Sequence, residues 1–409
     1  MLVKRNKFFR ILPMVALACI ILTLVGAASA QHGFKVLYQF VGSESGFAPS
    51  GSPIFDAAGN LYGNLVNQDY PGTGLVYKLT PNPDGSWTMN ELYAFTGGAD
   101  GAAPEGDLAR DAAGNLYGTS VDLYGGGAAN VVFKLAPNSD GTWAESVLYS
   151  FSGGADGGSP YSGVIRDAAG NLYGTTSSGG AYSAGTVFKL TPNPDGTWAE
   201  SVLHSFSGGS DGANPQAGVI LDAAGNLYGT TPYGGAGGGV VFKLTPNAEG
   251  TWTENVLYTF AHARDGANPQ AGVIFDAAGN LYGTTLRGGS SGNGTVFELR
   301  QNSDGSWSER VLHPFAGGSD GCFPEDGLTA DHSGNLYGTT GNCGDNGYGV
   351  AFQLKRHKDG SWTSNVLREF QVMDGIAPAR MIFDSAGNLF GTTRYGGAYG
   401  YGTVFEIAR

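Results

Sequence analysis

An all-β ring of seven four-stranded blades, a β-propeller, is the fold class that the sequence predicts, and three observations predict it. The first is composition: 70 of the 409 residues are Gly, only 14 % are charged, and aromatics reach 12 %. Long helices and coiled coils need more charge and far less Gly, while a disordered or collagen-like chain would not carry 41 % hydrophobic residues. The second is a repeat. DAAGNLYG begins at Asp56, Asp111, Asp167, Asp222 and Asp276, and returns as DHSGNLYG at Asp331 and DSAGNLFG at Asp384, at spacings of 53 to 56 residues. Seven copies of near-constant length indicate stacked units, each one supersecondary element. The third is the pattern at the ends. Residues 34–40 (FKVLYQF) read as the fourth strand of a copy and residues 402–408 (GTVFEIA) as the third, so the last copy lacks a strand that the N-terminal segment holds.

The elements follow in order. Lys4, Arg5, Lys7 and Arg10 precede an apolar run over 11–27 and the small residues Ala28, Ser29 and Ala30, the pattern of a cleaved secretory signal. An uncleaved anchor fits less well because Pro13 interrupts the run, which is short for a span of about 20 residues. Lipidation at Cys19 fits poorly because the apolar run continues past it. Removing residues 1–30 leaves 18 basic against 35 acidic residues, a net charge of −17. Nucleic acid and anionic membranes are therefore disfavoured as partners, since both are held by Lys and Arg, and no nucleic acid and no membrane span after cleavage are expected.

Within the third copy, four runs rich in β-branched and aromatic residues read as strands, at 163–167, 171–176, 185–191 and 198–206. Ala-Ala-Gly-Asn and Asn-Pro-Asp-Gly between them supply the Gly and Asn that tight hairpins require. Four antiparallel strands in each of seven copies define the propeller, and pairing residues 33–40 with the last copy would close it and remove two exposed sheet edges. A linear β-solenoid is the alternative. The expected organisation is a leader at 1–30 and one propeller over 31–409, with blades at about 50–95, 105–151, 161–206, 216–260, 270–315, 326–370 and 379–409. Trp87, Trp143, Trp198, Trp252, Trp307 and Trp362 each open a fourth strand. One per blade at a fixed position reads as inter-blade packing rather than a sugar platform.

The DAAGNLYGTT, GGAxGxGTVFKLTP and SGGSDGANP strings, recurring in fixed order over nearly the whole mature chain, resemble the gloeo/verruco tandem repeat of secreted "choice-of-anchor" bacterial proteins. The resemblance implies an exported propeller-like protein whose relatives are often tied to the surface by C-terminal sorting signals. Here Arg409 directly follows a strand, a departure from that pattern. The resemblance carries no residue roles. Two other propeller groups fit less well. The NPDGTW hairpin looks like the Asp-box of sialidases but is one residue short between Asp and Gly, and the arginines form no cluster in sequence. A streptogramin-lyase-like site would need a His, and only His262 falls in a suitable loop.

Chemistry is expected on the face formed by the loops leading into the innermost strands and those between second and third strands. Asp100, Asp156, Asp211, Asp265, Asp320 and Asp374 recur in the first of these loops. They read either as Ca²⁺ ligands, which makes Ca²⁺ the one cofactor considered, or as caps on their own Asp-Gly turns. Strict repetition favours the caps. The position after the loop proline breaks the symmetry, with Ser50, Glu105, Tyr161, Gln216, Gln270, Glu325 and Ala379. Together with Asp107, Asp326 and His262 these are the candidate ligand-binding residues, and Glu105 with Glu325 is the candidate acid/base pair. Cys322 and Cys343, both on the sixth copy, are expected to form a disulfide in an oxidising compartment. The expectation is a secreted or periplasmic monomer that binds a glycan, peptide or cell-surface component. The alternative is a propeller lyase or glycan hydrolase.

Overall fold

The computed structural model describes residues 33–41, 48–67, 73–123, 125–262 and 264–409, so the expected leader lies outside the described residues. Seven antiparallel sheets form the ring. The first blade is built of Ala48–Phe55, Leu61–Val66, Gly74–Pro81 and Trp87–Ala94, each strand paired with the next in sequence. Five further blades repeat this order. The seventh takes its outermost strand, Phe34–Gln39, from the far end of the chain and pairs it with Thr403–Ile407, Phe34 lying opposite Ile407 and Gln39 opposite Thr403. The expected ring closure is thus present. Gly318–Asp320 is the one helical segment among the described residues, a single 3-10 turn.

Innermost strands are shorter than the sequence predicts in most blades. In the third blade only Ile165–Arg166 pairs with its neighbour. The residue before the loop proline explains the difference: Ser159, Asn214, Asn268, Phe323 and Ala377 take a left-handed φ of +53° to +56° in the last five blades, which breaks the extended backbone that a ladder needs, while Ala48 and Ala103 lie within long strands in the first two. Gly163 also approaches the preceding blade closely, a Cβ there lying 2.1 Å from the carbonyl oxygen of Asp107.

Blade-to-blade seams repeat with the sequence. The last aromatic of one blade's outermost strand meets the third-strand aromatic of the next, in Phe40–Tyr77, Phe95–Phe133, Phe151–Phe188, Phe206–Phe242, Phe260–Phe297, Phe315–Phe352 and Phe370–Phe405. All seven are edge-to-face at 5.0 to 5.3 Å, a geometry that adds about 0.5–1.5 kcal/mol to the burial itself. The Gly of each NLYG makes room for that ring; at Gly118 a Cβ would lie 2.6 Å from Phe133 Cζ. Each Trp packs against a core cluster that spans two blades, as Trp143 does with Tyr62, Val76 and Leu116.

Nearer the axis, the residue after the NLYG or NLFG glycine bonds the next blade. Asn64 Nδ2 donates to Gly106 O at 2.9 Å, and the hydroxyls of Thr175, Thr230, Thr284, Thr339 and Thr392 donate to the carbonyls of Ala217, Ala271, Asp326, Ala379 and Gly51. Thr119 instead accepts from Gly163 N. This belt runs through every seam, including the one between the last blade and the first.

On the outer edge, Glu145, Glu200, Glu254 and Glu309 each bury a carboxyl oxygen that has no hydrogen-bond partner within the protein. Burial, and then the charge of Asp100, Asp156, Asp211 or Asp265 across the seam, pushes each of these four glutamates up to about 7. Where Phe34 or Met89 stands in place of the Glu, apolar packing fills the seam. Arg368 lies over the Phe34 ring at 4.2 Å, and Tyr38 packs on the same cluster as Met89.

Candidate functional site

Along the ring axis lies a cavity of about 850 Å³, within the size range of small-ligand sites, roughly 300–1,000 Å³. The loop proline directs the next residue inward in every blade, because the chain turns there from the outer rim into the innermost segment. Ser50, Glu105, Tyr161, Gln216, Gln270, Glu325 and Ala379 all line the cavity, with Asp107 and Asp326. One arc, formed by Tyr161, Gln216 and Gln270 of the third, fourth and fifth blades, carries no charge at these positions. The other arc is charged.

Two arginines of the seventh blade, Arg380 and Arg394, complete the charged arc. Neither is anticipated by the sequence reading, which found no arginine cluster. Arg380 Nε donates to Ser52 Oγ at 3.0 Å and its terminal nitrogen pairs with Asp107, which also accepts from Ser52 N at 2.7 Å. Arg394 stands 3.9 Å from Glu105 Oε1, while the Ser50 hydroxyl donates to Glu105 Oε2. Burial raises the Glu105 carboxyl, and Arg394 and Ser50 offset only part of that. Glu325 is likewise raised by burial and partly restored by Arg394. Asp326 is pushed up to about 7 by burial and by the neighbouring Asp107 and Glu325, against Arg380 and Arg394.

A signal for both arginines exists in the repeat. Six innermost segments hold seven residues from the proline to the Asp of the repeat, and the seventh holds six, with Arg380 where Gly51, Gly106, Ser162, Ala217, Ala271 and Asp326 stand elsewhere. Arg394 replaces Val66, Val121, Ser177, Pro232, Leu286 and Gly341 at the end of the second strand.

The remaining candidates lie elsewhere. His262 is exposed, beside Gly237, and does not line the cavity. The recurring aspartates are tied into their own loops. Asp100 accepts from Thr96 N and Tyr93 OH, Asp156 from Ser152 and Tyr149, Asp211 from Ser207, Asp265 from Tyr258 and Ala261, Asp320 from His313 and Ala316, and Asp374 from Arg368 and Gln371. Among the described residues no three His, Cys, Asp or Glu side chains converge as a metal site. Cys322 and Cys343 form a disulfide, Cα atoms 5.4 Å apart. It joins the two loops that flank Glu325, whose carboxyl lies against Gly341.

Fold and channel together define a closed tandem-repeat propeller whose axial cavity sets polar and charged side chains, among them Glu105, Glu325 and Arg394, against an aliphatic wall that includes Ile54, Leu108, Val219 and Val273. The chain belongs to the Gloeobacter/Verrucomicrobia repeat family, whose model matches residues 23–236, 124–331 and 237–409. No curated protein matches it. Among solved structures it is similar to PorZ, an essential bacterial surface component of the type-IX secretion system of Porphyromonas gingivalis, at 15 % identity and TM-score 0.42, over 81 % of this chain and 47 % of that one. The chain thus spans about half the length of PorZ. It is also similar to a putative oxidoreductase (glucose dehydrogenase) of Thermus thermophilus, at 13 % identity and TM-score 0.40, over 92 % of this chain and 99 % of that one. A second glucose dehydrogenase structure gives 13 % identity, TM-score 0.41 and the same coverage.

Proposed function

We propose that the protein is a binding module that works outside the cytoplasm and takes a polar, hydroxyl-rich ligand, a glycan end, into the axial channel. One observation carries this reading: in a ring of near-identical blades, the inward positions are the ones that differ from blade to blade, and they differ as hydroxyl, amide, carboxyl, phenol and guanidinium groups. Such a set of planar donors and acceptors suits a sugar, whose hydroxyls both donate and accept. Export is supported by the N-terminal basic and apolar pattern and by the Cys322–Cys343 disulfide. The test is a glycan array on the mature protein beside the Glu105→Gln and Arg394→Ala variants. Binding that weakens at least tenfold in both variants supports the channel; binding unchanged in both removes it. A second reading, glycan hydrolysis, is favoured by the raised carboxyls of Glu105 and Glu325 beside one arginine. Reducing-sugar release that Glu105→Gln or Glu325→Gln abolishes while binding persists would select it.

A further inference from the structure

We propose that Tyr161 is the stacking platform of the axial site, and that the ligand is a neutral pyranose end of glucose or galactose type, laid on that ring by its C–H face and selected against the corresponding uronic acid. This rests on the reading of the channel as a glycan site and names the sugar it takes. Among the described residues Tyr161 is the one aromatic side chain that lines the cavity. It is 36 % exposed. Among the same residues no hydrogen bond reaches its phenol, and no other ring or cation stacks on its own. The fold does not require an aromatic there, because the equivalent residues are Ser50, Glu105, Gln216, Gln270, Glu325 and Ala379. The backbone beneath the ring is held from two blades. Gly163 N donates to Thr119 Oγ1 at 3.1 Å, Gly163 bridges Asp107, and Ser162 Oγ lies 3.2 Å from Thr175 Oγ1. The platform is thus placed before any ligand arrives, which spares the ordering cost of binding.

The neighbours of the ring supply contacts for the sugar's edge. Glu105 of the second blade and Gln216 of the fourth flank Tyr161 around the cavity. Burial, and then the charge of Glu105, raises the phenol, so that carboxyl stands close by. In a ring of seven, the third blade lies across the axis from the sixth and seventh, and Glu325 and Arg394 line that opposite wall. A phenol ring offers an apolar face. Glucose and galactose each have one face free of axial hydroxyls, which matches it, while their hydroxyl rims reach the carboxylate and amide groups on either side. Charge then sorts these sugars from their acids. Arg380 pairs with Asp107, and Arg394 stands 3.9 Å from Glu105, whereas Glu325 and Asp326 form no ion pair among the described residues. Glu105, Asp107, Glu325 and Asp326 against Arg380 and Arg394 leave the charged arc acidic, and a ligand carboxylate placed there is repelled.

The experiment uses the mature full-length protein and two matched pairs, methyl β-glucoside with methyl β-glucuronide and methyl β-galactoside with methyl β-galacturonide. Each is titrated in slightly alkaline buffer and followed through the ligand's proton NMR shifts. In the pair that binds, the neutral glycoside is expected to be at least tenfold tighter than its uronide, with its ring C–H protons moved upfield by the Tyr161 ring current. Tyr161→Gln, which gives the third blade the side chain of the fourth and fifth, should weaken binding at least tenfold and abolish the upfield shift while the melting curve stays unchanged. Tyr161→Phe should keep the shift and bind within threefold. Binding that Tyr161→Gln leaves within twofold and Arg394→Ala still weakens overturns the platform and leaves the channel reading standing. A uronide as tight as its neutral partner overturns the selection for a neutral end, and with it the proposal. Absence of binding to all four glycosides overturns the proposal alone if the array shows a glycan whose binding Arg394→Ala weakens, and overturns the channel reading as well if it shows none.

Discussion

At the scale of single residues, the seams rest on ring packing. Phe242 is fully buried and meets Phe206 edge to face at 5.1 Å. Phe242→Ala should cost about 3–5 kcal/mol, the usual range for a buried Phe whose cavity cannot collapse, read as a drop in the denaturation midpoint. A shift of under ~1 kcal/mol would mean that the seam repacks freely. Much of this scale was legible in the repeats. The Gly of each DAAGN was read as the hairpin former, and Gly59 does take a φ of +82°, while the carboxyl of Asp56, to which no role was given, accepts from Asn60 N, Asn60 Nδ2 and Tyr62 OH at 2.7 to 3.0 Å. Arg380 and Arg394 were not legible in the same way. Their partners Asp107 and Glu105 lie on the second blade, two blades away around the ring, and only closure of the ring brings those charges together.

Elements show a pH response at the outer seams. Glu145, Glu200, Glu254 and Glu309 have folded values of about 7, above their ordinary value in the unfolded chain. The folded state therefore holds more protons between about pH 4.5 and 7, and its stability falls as pH rises through that window. These groups are partly exposed, so solvent screening reduces the effect. The melting temperature should still be higher at pH 5 than at pH 8 by at least about 2 °C, the equivalent of ~1 kcal/mol in a chain of this size. Replacing all four with Gln should reduce that slope, Asp326 of the channel keeping its own share, and a quadruple variant with the parent's profile would disprove the assignment. Below pH 4 the sign reverses. Asp56, Asp111 and their counterparts are raised by burial but held below the usual range by hydrogen bonds from Asn and Tyr, so protonating them removes stability. Strand type and order were readable from periodicity at this scale, whereas the shortness of the innermost ladders was not. That shortness comes from the left-handed turn before the loop proline, as at Ser159 and Phe323, which strand periodicity does not record.

For the whole molecule, closure is the property to test. Deleting residues 33–40 removes the outermost strand of the seventh blade and the Phe34 contacts with Phe370 and Phe405. The variant should melt at a sharply lower temperature or aggregate through its freed sheet edges; an unchanged melting curve would rule out a stabilising role for the closing strand. Thiol labelling of the unreduced mature protein should find neither Cys322 nor Cys343 reactive. Reduction should lower stability by roughly 3 kcal/mol, the chain-entropy expectation for a loop of this length, and labelling of both cysteines without reductant would contradict the disulfide.

The pairing of the first described strand with the last has a consequence for the order of assembly. Gln39 bonds to Ala398, 359 residues further along the chain. Six blades can form from neighbouring segments as the polypeptide emerges, each needing only its own hairpins. The seventh cannot, because its parts are the earliest and latest stretches to appear. Until the final repeat arrives, strand Phe34–Gln39 has no sheet to join and the channel wall has a gap beside Ser50. Arg380 and Arg394, both on that last blade, therefore reach Asp107 and Glu105 only at the closing event, and the charged arc of the cavity does not exist in any shorter intermediate.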